Sequence, residues 1–174
     1  MSLKNLNASS KTRKFLFSKF NDKRILKIYN KFESNLSLNN NFIVAVSGGP
    51  DSLALAFLSK IYSMKKSLKV KYFIIDHKLR DNSSTEALFI KKLLKNYSIN
   101  LNILKWTGKK PFSNIQSLAR EKRYKLLIQQ TKKLKINNIL LGHHMNDVFE
   151  NFFIRLLRGS GLNGMVSFDN KSIM

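Results

Sequence analysis

Between the apolar run Phe42-Ile43-Val44-Ala45-Val46 and the helically spaced Leu53, Leu55, Ala56 and Leu58 stands the hexapeptide Ser47-Gly48-Gly49-Pro50-Asp51-Ser52. An apolar run, paired glycines and a helix-like pattern together predict a strand, a tight turn and a helix. Adjacent glycines let backbone amides approach an anion closely. A helix start offers its first amides, and the positive end of its dipole, to the same anion. Ser47 and Ser52 add hydroxyl donors, and Asp51 is a candidate ligand for a metal ion that bridges phosphates. No lysine follows the glycines as G-x-x-x-x-G-K-S/T requires, so the turn is not a Walker A loop. A strand–turn–helix junction without a ligand is the simpler alternative.

The same alternation continues along the chain. Strands are predicted at 42–46, 70–75, 101–105 and 138–142, and helices at 11–36 and near 51–63, 85–96, 115–134 and 146–157. Near-continuous apolar strands separated by helices predict an α/β fold, a parallel sheet covered by helices on both faces. Ligands of such sheets bind beyond the carboxyl ends of the strands. The residues found there are of the expected kind. The hexapeptide follows the first strand, Asp76-His77-Lys78-Leu79-Arg80 the second, and His143-His144-Met145-Asn146-Asp147 the fourth. The organisation predicted is a basic helical extension over 1–40 and a nucleotide-binding domain over 41–174.

Composition narrows the partners. The 174 residues suffice for one domain with a sizeable core. No apolar run reaches the roughly 18 residues of a membrane span, so no membrane partner is expected. The sequence has no cysteine, which excludes disulfides, thiolate metal sites, iron–sulfur clusters and catalytic thiols. A soluble, intracellular protein is expected. With 32 basic and 10 acidic residues, the net charge of +22 suits a polyanion, nucleic acid above all. Codon bias is the rival explanation, since Lys, Asn, Ile and Phe all have A/T-rich codons. The first 21 residues lack any acid and include Lys4 and Arg13, mildly like an organelle transit segment. The expected compartment is the cytoplasm, with the mitochondrial or plastid interior as the alternative.

Four further groups carry candidate chemistry. Asp76 and His77 can face nucleotide or substrate and Arg80 a phosphate; alternatively Asp76 caps the next element and Arg80 is solvated. Arg120 and Arg123, three apart on a helix, share a face suited to pyrophosphate or RNA phosphate, or form a basic solvated face beside Glu121. In His143-His144-x-x-Asp147-x-x-Glu150 the two carboxylates lie one turn apart. They can hold magnesium, or simply complement a helix dipole. Zinc lacks further ligands at the usual spacing. Arg158-Gly159-Ser160-Gly161-Leu162-Asn163-Gly164-Met165 reads as a substrate-facing loop or a helix cap.

The hexapeptide resembles the PP-loop, S-G-G-x-D-S, of ATP pyrophosphatases, which split ATP between its α and β phosphates. The wider set of pieces resembles the tRNA(Ile)-lysidine synthetases, which convert the wobble cytidine of a CAU anticodon to lysidine. These pieces are Val44–Ser52, Asp76-His77-x-Leu79-Arg80, Ala119-Arg120-x-x-Arg123-Tyr124, His143-His144-x-x-Asp147-x-x-Glu150 and Leu157-Arg158-Gly159-Ser160-Gly161-Leu162-x-Gly164-Met165, over about residues 40–165. Lys78 stands where that family has a small residue such as glycine.

The resemblance implies a Rossmann-like, adenine nucleotide alpha hydrolase fold with ATP and Mg²⁺ as cofactors. Its expected partners are tRNA(Ile) with a CAU anticodon and L-lysine. ATP adenylates the C2 oxygen of cytidine and releases pyrophosphate; the lysine ε-amine then attacks C2 and AMP leaves. It implies that Ser47, Gly48, Gly49, Pro50, Asp51 and Ser52 hold the phosphates, and that Asp51 and Asp147 hold the metal. Arg120 or Arg123 offsets charge, His143 or His144 bonds phosphate, and Asp147 or Glu150 orients the amine. Asp76, His77, Arg80, Arg158, Gly159 and Gly161 contact substrate. Family members continue past the Gly-rich loop. This chain is therefore expected to be a fragment, a truncated product or one part of an enzyme completed by a second chain, with a homodimer as a further expected assembly. The rivals are a PP-loop tRNA thiolase, which usually needs cysteines, and a truncated, non-catalytic tRNA-binding remnant.

Overall fold

The structure is a computed structural model that describes residues 3–106 and 115–142. Helices α1 (Leu3–Ser18) and α2 (Lys23–Asn35) precede β1 (Phe42–Val46), α3 (Pro50–Lys65), β2 (Val70–Asp76), α4 (Ser83–Lys95), β3 (Leu101–Lys105), α5 (Ile115–Leu134) and β4 (Asn138–Leu141). The four strands form one sheet in the order β3-β2-β1-β4, and each neighbouring pair is parallel. Phe42 lies opposite Val70 on one side and Asn138 on the other. The predicted strands are present, with β2 running one residue further, to Asp76, and β4 ending one residue earlier, at Leu141.

Strand residues alternate between two cores, as the two-residue period of a strand requires. Phe42, Val44, Val46, Tyr72 and Ile74 pack with Ala56, Ile61 and Tyr62 of α3 and Ala87, Ile90 and Leu94 of α4. Ile43, Ala45, Phe73 and Ile75 pack with Leu127 of α5 and with Ile136. Both faces are covered. Right-handed crossovers account for the division. The chain steps from β1 to β2 to β3 in one direction, carrying α3 and α4 on one face. It then reverses past β1 to β4, which puts α5 on the other. The reversal makes the carboxyl end of β1 the topological switch point, where doubly wound sheets bind ligands.

Helix ends set up each following strand. Ser67, Ser98 and Lys135 take left-handed backbone angles (φ 56°, 54° and 54°) just past α3, α4 and α5. The next amides, of Leu68, Ile99 and Ile136, reach back to the carbonyls of Ser63, Leu94 and Thr131 at 2.9, 3.1 and 3.0 Å. This is the Schellman arrangement, with its apolar residue after the turn. Ile99 and Ile136 are buried, so each helix end is anchored in a core before the chain enters β3 or β4.

The single helix predicted over 11–36 is instead two, joined by a 3₁₀ turn at Lys19–Asn21. Asp22 makes the break. Its carboxylate accepts the Arg24 amide at 2.8 Å, capping α2. Leu16 and Tyr29 are buried in the same core as α3 and α4. Tyr62 fixes the exit, its hydroxyl lying 2.9 Å from the carbonyls of both Leu36 and Leu38.

Candidate functional site

At the switch point the hexapeptide forms a loop that shapes itself. Gly48 has φ +92°, a conformation L side chains rarely adopt. A methyl group there would lie 3.5 Å from Ile90 Cγ1, an ordinary contact, so backbone conformation rather than space selects glycine. Gly49 caps α3 and Pro50 occupies its first turn, where a missing N–H is tolerated. Ser52 is 2 % exposed. Its hydroxyl oxygen accepts the amides of Ser47 and Gly48, both at 3.1 Å, and its proton goes to the Gly49 carbonyl at 2.9 Å. The Ser52 hydroxyl expected to donate to a ligand is thus engaged within the loop. Ser47, Pro50 and Asp51 are exposed at its rim.

Beside it, at the end of β2, Asp76 is buried. Its carboxylate accepts from the Lys78 amide (3.0 Å), the Ser83 hydroxyl (2.7 Å) and the Ser84 hydroxyl (2.5 Å). Burial pushes its pKa up, but the hydrogen bonds from Ser84, Ser83 and Lys78, with the Lys78 charge, outweigh it and hold the carboxyl below its ordinary value. Asp76 therefore braces the turn into α4, as the capping alternative anticipated. Lys78 has φ 49°, which explains the small residue expected there. Ser83 and Ser84 were not singled out from sequence, although paired serines at a helix start are a capping signal. Arg80 is exposed.

His77 follows Asp76, and its Nδ1 is buried without a hydrogen-bond partner among the described residues. Burial lowers its pKa, the positive charge of Arg123 lowers it further, and Asp76 opposes both. Arg123 therefore lies near the carboxyl end of β2, consistent with α5 packing on β2. Arg123 is itself half-buried. Burial lowers its pKa; Tyr124 opposes this and the neighbouring Arg120 adds to it. The Arg120 guanidinium stands 5.9 Å from the Tyr124 ring centroid. Among the described residues no carboxylate lies within ion-pair distance of Arg123. The Arg123 and Arg120 guanidiniums thus gather beside the His77 imidazole, with the Asp76 carboxylate held by its own hydrogen bonds, and guanidiniums suit a phosphate-type anion.

His143, His144, Asp147, Glu150, Arg158, Gly159 and Gly161 lie outside the described residues, as does the helix predicted at 146–157. Among the described residues no three acidic or histidine side chains gather where they can hold a metal ion. The chemistry of Asp51, a carboxylate at the rim of a phosphate-type loop, fits magnesium, which takes one or two carboxylates and completes its shell with phosphate and water oxygens. No described helix is long and apolar enough to cross a membrane.

A family profile described as the PP-loop domain matches residues 18–174. The chain is 41% identical over 139 residues to the tRNA(Ile)-lysidine synthase of Orientia tsutsugamushi (strain Boryong), covering 80% of this chain and 31% of that protein. It is 37% identical over 149 residues to the tRNA(Ile)-lysidine synthase of Rickettsia bellii (strain OSU 85-389), covering 80% and 34%. The chain thus spans about a third of the length of these relatives. Among solved structures, the U34-tRNA thiolase NcsA from Methanococcus maripaludis with its 4Fe–4S cluster superposes with a TM-score of 0.70 at 18% identity, over 82% of this chain and 53% of that one. At that identity the likeness concerns the fold.

Proposed function

The chain belongs to the PP-loop domain family, and from that membership we propose that it carries the ATP-activating site for lysidine formation on tRNA(Ile). The observation that carries the reading is the self-bracing loop Ser47–Ser52, with Gly48 at φ +92°, at the switch point of the sheet. The identity to tRNA(Ile)-lysidine synthases supports the choice of reaction within the family.

In this reading the rim of the loop and the first turn of α3 hold the β and γ phosphates of ATP. The C2 oxygen of the wobble cytidine attacks the α phosphorus, the bond to the β-phosphate oxygen breaks, and pyrophosphate leaves. Arg123 and Arg120 take up charge that develops on the phosphates. His77, kept neutral by burial and by Arg123, offers a hydrogen bond rather than a second charge. The lysine ε-amine then attacks C2, gives up a proton, and AMP departs with the oxygen. Asp147 or Glu150 is the acid assigned to receive that proton. Asp51, with Asp147, would hold Mg²⁺, which offsets phosphate charge when bound. The basic surface holds tRNA phosphates, and the wobble base leaves its stack to reach the site.

Pyrophosphate release from ATP, measured with and without a CAU-anticodon tRNA(Ile) and with lysine omitted, tests the first step. tRNA-dependent release is expected, followed by incorporation of labelled lysine when it is added. Tight tRNA binding with no release would favour the non-catalytic remnant instead.

A further inference from the structure

We propose that the exposed stripes of α1 and α2 form an RNA-docking surface that grips backbone phosphates apart from the PP-loop site. The inference rests on the tRNA-directed reading above and says which part of the fold meets the RNA.

Lys11 and Phe15 on α1, and Lys19 in the 3₁₀ turn that follows it, are spaced four residues apart, and so are Lys23, Lys27 and Lys31 on α2. Four-residue spacing places side chains on one face, about 6 Å apart along the axis. All six are exposed. Like charges at this spacing destabilise a helix unless something relieves them. Among the described residues no ion pair relieves these lysines. The acids of this region are Asp22 and Glu33, and both are taken. Asp22 pairs with Arg24 at 3.1 Å, and Glu33 pairs with Lys65 of α3 at 2.7 Å. The acids thus serve a cap and an interhelix contact while the outer stripes carry no acid. Codon bias explains many lysines, but not this separation of acid from base.

The surface is also tied to a neighbouring turn and holds an exposed aromatic ring. Thr12 Oγ1 and Ser98 Oγ are 2.9 Å apart and tie α1 to the turn after α4. Phe15 is 44% exposed, its ring 6.0 Å from that of Tyr97, with the Lys19 ammonium 5.0 Å from its centroid. Cations interleaved with a fixed aromatic suit a nucleic-acid strand, which offers both phosphates and bases. A lipid surface is a poorer fit. A helix lying on a membrane needs its apolar face free, whereas Tyr29 of α2 is buried and Phe32 packs on Tyr62. Most of α1 precedes the stretch matched by the family profile, which begins at residue 18.

The test uses the full chain and an unmodified tRNA transcript with a CAU anticodon, with affinity measured across a salt series. In the variant, Lys11, Lys19, Lys23, Lys27 and Lys31 are all changed to Gln. Binding is expected to weaken at least tenfold near 0.1 M salt, and the slope of log K against log salt to fall by about 0.7–0.9 per lysine removed. An unchanged circular dichroism spectrum and unchanged ATP affinity show that the core is intact. Equal affinity and slope in the two proteins would overturn the docking surface and leave the tRNA-directed reading standing. A wild-type chain that bound no tRNA would overturn both. Preferential, lysine-dependent binding to phosphatidylserine vesicles over tRNA would reassign the stripes to a membrane.

Discussion

The hydroxyl oxygen of Ser52 lies 3.1 Å from the amide nitrogen of Gly48, so the helix that follows the PP-loop reaches back and holds the loop that introduces it. The same oxygen accepts from Ser47 and its proton goes to Gly49. One side chain therefore satisfies three backbone groups that a tight turn would otherwise strand. The bonds that shape the loop come from within the chain, and a loop braced in this way loses less ordering entropy on binding than a floppy one.

Ser52→Ala should therefore lower the stability of the ligand-free protein by about 1–3 kcal/mol, the usual effect of stranding buried backbone groups. Urea unfolding without ATP measures it, and calorimetric titration should show weaker ATP binding in parallel. Weaker ATP binding with unchanged stability would mean that the hydroxyl serves the ligand and not the loop.

Asp51→Asn should keep the fold, because Asp51 is exposed on the first turn of α3. It should remove most Mg²⁺-dependent pyrophosphate release while circular dichroism stays unchanged. Release at the wild-type rate across a magnesium titration would take the metal away from this carboxylate.

Asp76→Asn tests the brace at the end of β2. The native carboxyl is held below its ordinary value. Its stabilising contribution is therefore present above the unfolded-state pKa of about 3.9, and is lost as pH falls through the lower, native value. The stability gap between wild type and variant should be widest at neutral pH and close below about pH 4. Chemical denaturation at stepped pH reads this directly. A gap independent of pH would mean that packing, not charge, makes the difference.

Most of the sheet was legible because its strands are short apolar runs flanked by polar residues, and the hexapeptide was legible because two glycines and an acid punctuate it. The break between α1 and α2 was harder to see. Phe15, Phe17 and Phe20 run up to it and Ile25 and Tyr29 run on from it, so the apolar pattern barely pauses, and only the Asp22 cap marks the join. Helix ends at Ser67, Ser98 and Lys135 carry no glycine to announce them. The Asp76 partners were hidden for another reason. Ser83 and Ser84 come within reach only after the intervening turn folds back. The nearness of His77 to Arg123 depends on α5 crossing the sheet, which no local pattern records.

Lys78→Gly should stabilise the protein by about 1 kcal/mol, the difference between relieving a left-handed side chain and the added freedom of glycine in the unfolded chain. The amide bond to Asp76 survives the change, since it belongs to the backbone. Thermal melts of the two proteins, compared at one pH, check it. A lower melting temperature would show that the Lys78 charge beside Asp76 outweighs the backbone strain.

Arg123→Gln probes the anion-seeking neighbourhood at the carboxyl edge. Arg123 is half-buried and depresses the His77 pKa, second only to burial. Removing the guanidinium should therefore raise the His77 pKa towards about 6.5 without reaching it, because the burial remains. Nitrogen-detected NMR of the His77 ring between pH 5 and 8 measures the shift. The sign carries into stability. A histidine whose native pKa is depressed contributes stability above its unfolded value and loses it as pH falls through the native one. The variant should thus lose less of this contribution on the acid side than the wild type. In the proposed reaction the same guanidinium takes up charge on departing pyrophosphate, so tRNA-dependent release should fall about a hundredfold. Arg123→Lys keeps the charge but not the planar fork, and should leave the His77 pKa low while still slowing release. If the His77 pKa fails to move in Arg123→Gln, the two side chains do not share one electrostatic site. If it moves while release is untouched, Arg123 tunes the imidazole and plays no part in stabilising the phosphates.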